Sequence, residues 1–125
     1  MKKETKLWLD YANESYEDSL YNWKGHRYGN TAFCCQQALE KILKAILVEK
    51  GILPPKSHDL IRLVKLAKLK LNAKQAEELN ALTRHYFIVR YPDLNRKFYR
   101  NKKVTEKALN MLKEYYIWFQ KELKK

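Results

Sequence analysis

NTAFCCQQALEKILKAILVEK, residues 30–50, decides how the rest of the chain is read. Leu39, Ile42, Leu43, Ile46 and Leu47 recur at three- and four-residue steps and make a wide apolar face, the mark of a helix buried on one side. Gly51 suits the position just past its end, and Pro54-Pro55 forbid continuation. Along the same helix Gln37, Glu40, Lys41 and Lys44 form a polar stripe. That stripe reads either as a solvated face with a Glu40–Lys44 pair or as one wall of a site.

Outward from this helix the same period continues. Before it, residues 5–24 carry Leu9, Ala12, Tyr16, Leu20 and Trp23 on one stripe. Trp8, Ala12, Ser15 and Ser19 form a neighbouring stripe of mostly small residues that would admit another helix closely. Gly25 and Gly29 bracket the turn between the two helices. After it, Ser57 is placed to cap a short helix through about Lys70. Asn72 with Gln75 is a capping-box start for a helix that bears Leu79, Leu82, Tyr86 and Val89 and ends before Pro92. Residues 92–103 read as a basic loop. Thr105 is the expected cap of a last helix with Leu109, Leu112, Tyr116, Phe119 and Leu123. Its second stripe, Met111, Tyr115 and Trp118, would be exposed in a monomer and so suggests a partner surface. No segment alternates as a strand would. The expectation is an all-α chain: an antiparallel up-and-down four-helix bundle with one extra short helix, residues 1–125 forming one domain.

Composition narrows the function classes. The net charge is +12 over 125 residues, which favours anionic partners such as nucleic acid or nucleotides. Residues 84–103 hold seven basic side chains, Arg84, Arg90, Arg96, Lys97, Arg100, Lys102 and Lys103, against Asp93 alone, and so carry half of that net charge. Within it RKFYRNKK, 96–103, interleaves cations with rings, as backbone and base contacts to RNA require. Cys34 and Cys35 are adjacent and form no redox or zinc spacing. The three histidines give no ligand spacing either, so neither metal nor cofactor is expected. The N-terminus lacks the apolar core of a signal peptide and no apolar run approaches a membrane span, which leads to the expectation of a cytoplasmic protein.

FCCQQALEKILKA at 33–45, SHDLIRL at 57–63 and YFIVRYPD at 86–93, in that order, resemble the HEPN domain family, higher eukaryotes and prokaryotes nucleotide-binding. The resemblance runs from Trp8 to the tyrosine-rich last helix. It implies a bundle like the substrate-binding domain of antibiotic nucleotidyltransferases. It also implies a homodimer and a minimal nucleotidyltransferase as partner, often as a toxin–antitoxin couple. Many HEPN proteins are metal-independent ribonucleases with an arginine, four to six residues, then a histidine. The histidine moves protons and the arginine steadies phosphate charge. Here the arginines are 27, 62, 84, 90, 96 and 100 and the histidines 26, 58 and 85, and no pair has that spacing.

The stretch ALTRHYFIVRYPD, 81–93, therefore points to binding rather than cleavage. On one continuous helix Arg84 and Tyr91 would lie within about 20° of each other, with Tyr86 and Arg90 on the next stripe. The expected ligand-binding set is Arg84, Arg90 and Tyr91 with Gln37, Glu40, Lys41 and Lys44. Glu40 is the expected ionic partner of Arg90 across the seam. His58 either caps its helix or meets Arg90 in a pocket. A ribonuclease built on Arg84, His85 and His58 is the rival, and a purely structural interaction module is the third reading.

Overall fold

A computed structural model describes residues 1–125 as six helices and no strand. They are α1 (Lys3–Lys24), α2 (Tyr28–Glu49), α3 (Leu60–Leu66), α4 (Ala73–Ile88), α5 (Pro92–Phe98) and α6 (Lys102–Leu123). The punctuation is largely that of the sequence. Gly51 adopts φ +77 beyond α2, and the Asn72–Gln75 capping box forms in full at the start of α4. Three boundaries differ. Asp59 caps α3 by accepting from the amides of Ile61 and Arg62, while the Ser57 hydroxyl accepts from the amide of Asp59. α3 then stops at Leu66, because Lys68 turns to φ +61. Asn101 caps α6, and Thr105 lies inside that helix, buried, donating to the Tyr28 carbonyl at 3.0 Å. Residues 92–98 are a helix and not a loop. Pro92 both stops α4 and starts α5, since a first-turn proline has no amide to lose and its φ is already helical.

Cross-links set the directions. Thr5 donates to Glu49, Lys41 to Ser15, and Asn22 lies against Cys34, so α1 runs antiparallel to α2. The Tyr28–Thr105 bond joins the starts of α2 and α6, which run parallel. Glu78 near the start of α4 meets Tyr115 late in α6, and His85 near its end meets Tyr99 just before α6, so α4 opposes both. The bundle is up-down-up-down, with α2 touching α1, α3, α4 and α6.

The α1–α2 contact is close because every buried residue of α1 is small: Thr5, Ala12, Ser15 and Ser19. Replacing Ala12, fully buried in this seam, by leucine should cost about 1–3 kcal/mol through overpacking, read as a lowered urea midpoint at unchanged slope. On the opposite side α6 contributes bulk, with Tyr115, Tyr116 and Phe119 all buried. This corrects the expectation for the second stripe of that helix. Met111 is 5% and Tyr115 1% exposed, and Trp118 packs against the core. A thin bundle lets one helix bury two stripes, so this stripe offers no partner surface.

Candidate phosphate-binding surface

The end of α4 organises the site. The His58 ring, from the segment before α3, stacks on Tyr86 with centroids 3.6 Å apart, and Phe33 of α2 lies parallel at 5.7 Å. The Arg90 guanidinium sits 4.1 Å from the centre of the same ring and donates to the Tyr86 hydroxyl. His58 and Arg90 thus both lie against the Tyr86 ring, and no direct contact joins them.

Glu40 does not pair with Arg90. Its Oε2 accepts from Lys44 Nζ at 3.0 Å, and its Oε1 lies 2.9 Å from His58 Nδ1 and accepts from Gln36 Nε2 at 3.1 Å. The carboxylate is buried, so it takes partners that are already on its own helix or stacked above it, while Arg90 remains in solvent on the Tyr86 ring. A carboxylate can only accept, which puts the imidazole proton on Nδ1 and leaves Nε2 free. Lys44 is buried beside Trp8 and Lys41 donates to Ser15 at 2.8 Å beside Tyr11, so both lysines face α1 rather than Arg90. Gln37 donates to Gln36 at 2.7 Å. The polar stripe is therefore neither a solvated face nor a wall shared with Arg90. Glu40 and Lys44 are buried and Gln37 and Lys41 half-buried in the seam.

Arg84 and His85 separate. Adjacent helical residues diverge by about 100°. Arg84 is exposed in an open groove of about 770 Å³ between α3 and α4, where Asp59 and Glu77 also lie. His85 points inward, 4% exposed, and shares a 2.6 Å hydrogen bond with the Tyr99 hydroxyl. Burial, reinforced by the Arg84 charge, holds its imidazole down to about pKa 4. A neutral, enclosed imidazole cannot exchange protons with an external phosphate, which removes His85 as a catalytic candidate. Tyr91 leaves the α4 face altogether, because α4 ends at Ile88 and Tyr91 is the extended N-cap of α5.

What remains exposed at this end is basic and aromatic. Arg84, Arg90, Arg96, Lys97, Arg100, Lys102 and Lys103 are all exposed, none has a carboxylate partner, and Phe87, Tyr91 and Phe98 stand among them. No group of three acidic, histidine or cysteine side chains is placed to hold a metal ion. The Cys34 thiol is pushed up to about 11, first by burial and then by Asp18, so it is not a poised nucleophile. No helix is long and apolar enough to cross a membrane.

The HEPN domain family matches residues 5–123. The chain belongs to the HEPN domain family. The fold is similar to that of TT1696 from Thermus thermophilus, with a TM-score of 0.83 and 21% identity over 97% of this chain and 99% of that one. No curated protein sequence matches it. As a HEPN domain it is a nucleotide- and RNA-related module.

Sequence reasoning missed one further feature of this HEPN domain. α5 packs on the first turn of α2, so closely that a Cβ on Gly29 would lie 3.0 Å from Asn95 Oδ1. A pocket of about 280 Å³ opens beside this contact, with Arg27 and Arg96 in its lining. The available signal was Pro92 followed by Asp93, a helix start that was read only as a helix stop.

Proposed function

We propose that this HEPN domain binds the phosphates of a nucleotide or RNA without cutting them. The observation that carries this reading is the exposed cationic end of the bundle, where seven unpaired lysines and arginines from 84 to 103 are interleaved with exposed rings. Cations supply phosphate contacts, rings supply stacking, and a histidine at the spacing needed for cleavage is missing. Arg90 and Tyr91 belong to this surface by position, and Arg84 reaches it from the α3–α4 groove. Glu40 supports it from behind through His58, which stacks on Tyr86, while Gln37, Lys41 and Lys44, also expected in the ligand-binding set, lie on the α1 side of α2 or bond within it. On the same reading the protein is cytoplasmic, self-associated as a homodimer and partnered by a minimal nucleotidyltransferase in a toxin–antitoxin type of pair. Exposed Leu7 and Tyr11 on α1 supply apolar surface for such association.

The test is fluorescence anisotropy with labelled single-stranded RNA across a salt series, light scattering giving the mass of the particle. Arg90→Ala is expected to weaken binding by about 1.5–3 kcal/mol, the range for a charge-assisted hydrogen bond. Affinity should fall steeply with salt as counterions are released. Salt-insensitive or absent binding would leave the interaction module as the better reading.

One observation keeps a second reading in view. His58 has Nδ1 held by Glu40, Nε2 unengaged, and Arg90 beside it across Tyr86. A ribonuclease using this histidine would cleave RNA without metal and lose that activity in His58→Ala.

A further inference from the structure

We propose that the pocket between the α1–α2 turn and α5 seats a terminal phosphate monoester, the charged end of a nucleotide or of an RNA strand. The proposal rests on the reading of the basic end as a phosphate-binding surface, and adds where on it a chain end would be held. The pocket, about 280 Å³, is lined by His26, Arg27, Tyr28, Asn30, Asn95 and Arg96 among others, and by no acid. Its two arginines come from different elements, the N-cap of α2 and the last turn of α5, and neither is in an ion pair. Two arginines lining one concave site with no acid in the lining leave positive charge there for an anion to balance.

The walls are built rather than incidental. His26 stands in the left-handed region at φ +58, uncommon for a side chain with a Cβ, and its Nδ1 lies 3.1 Å from the Tyr28 hydroxyl. Asn95 donates through Nδ2 to the Val89 carbonyl at 2.8 Å, so it shapes the wall and leaves donation to the arginines. The amides of Tyr28, Gly29 and Asn30 make no hydrogen bond within the chain and add donors on the α2 side.

Charge and size choose the ligand. A phosphate monoester carries about −1.5 to −2 near neutrality and offers three terminal oxygens, whereas an internal phosphodiester carries a single charge. Two guanidinium groups match the former. The volume lies just under the roughly 300–1,000 Å³ of ordinary small-molecule sites, enough for a phosphate with its sugar and too little for a dinucleotide. The basic surface of α5 and the start of α6 borders the pocket, so a strand bound there through its internal phosphates would bring one end to Arg27 and Arg96.

The experiment compares RNA of one sequence with and without a 5′-phosphate, and adenosine monophosphate with adenosine, on the intact protein. The phosphorylated form is expected to bind about tenfold more tightly in each pair, as charge-assisted hydrogen bonds allow. Arg27→Ala, an exposed position outside the basic surface, should erase that preference and leave hydroxyl-ended RNA within about twofold of its original affinity. Arg96→Gln should erase the preference and also weaken both RNAs, because Arg96 belongs to the basic surface, while Arg90→Ala should weaken both RNAs equally and keep the preference. Amide resonances of Tyr28, Gly29 and Asn30 should shift with adenosine monophosphate and with inorganic phosphate. RNA binding with no preference between ends, or a preference that survives both substitutions, overturns the pocket while the surface reading stands. Phosphate-dependent shifts at those three amides without any RNA binding support the pocket and overturn the surface reading. No shift and no preference overturns the pocket outright.

Discussion

Glu40→Ala is expected to destabilise the protein by about 3–5 kcal/mol, the cost of leaving one member of a buried ion pair without its partner. The Glu40 and Lys44 side chains are each 7% exposed and lie 3.0 Å apart one turn along α2. With the carboxylate gone, the Lys44 ammonium keeps the ring of Trp8 at 5.5 Å and nothing of opposite charge. Gln36 and His58 lose an acceptor in the same step. Adding Lys44→Met to Glu40→Ala should recover most of the loss, because an apolar side chain of similar reach needs no partner. Urea denaturation of the two variants checks this. A loss below about 1 kcal/mol in the single variant would mean that the pair behaves as an exposed one. Since His58 leans on Glu40, the comparison also separates a stability defect from a site defect. The double variant, refolded, should still lack the oriented imidazole.

Acid should weaken the fold before the ordinary carboxylates titrate. The His85 imidazole falls from an ordinary 6.5 in the unfolded chain to about 4 in the folded one, first because it is buried and second because Arg84 is adjacent. Between those values the unfolded chain takes up the proton and the folded chain does not, so stability declines as pH falls through this window. The loss is complete below about pH 4 and amounts to about 3 kcal/mol. Above pH 6.5 both states hold a neutral imidazole and His85 contributes no pH dependence. His85→Gln keeps a side chain able to bond the Tyr99 hydroxyl and removes the titration. The variant should therefore show a flatter stability profile between about pH 6.5 and 4.5, measured by thermal or urea unfolding. An equal slope in both proteins would place the acid sensitivity elsewhere.

The helices were legible in the sequence wherever a local signal was enough. The apolar period of residues 30–50, the small stripe of Ala12, Ser15 and Ser19, the left-handed Gly51 and the Asn72–Gln75 box are short-range chemistry, and the chain alone determined them. The family was legible as well, through three motifs in order. Charge was legible as an amount and as a segment. What only the tertiary structure decided is which groups meet. Glu40 prefers Lys44 and His58 to Arg90 because burial rewards the nearest partners. His85 turns inward because one helical step separates it from Arg84 by about 100°. Met111 and Tyr115 are covered because the bundle is thin enough for neighbours to reach both stripes of α6. Arg27 and Arg96 lie 69 positions apart in the chain and line one pocket only because α5 is a helix packed on the first turn of α2. Spacing along a chain records what a helix does to its own side chains. It holds no record of which faces are pressed together, and that pressing set the partners, the burial and the protonation of the candidate site.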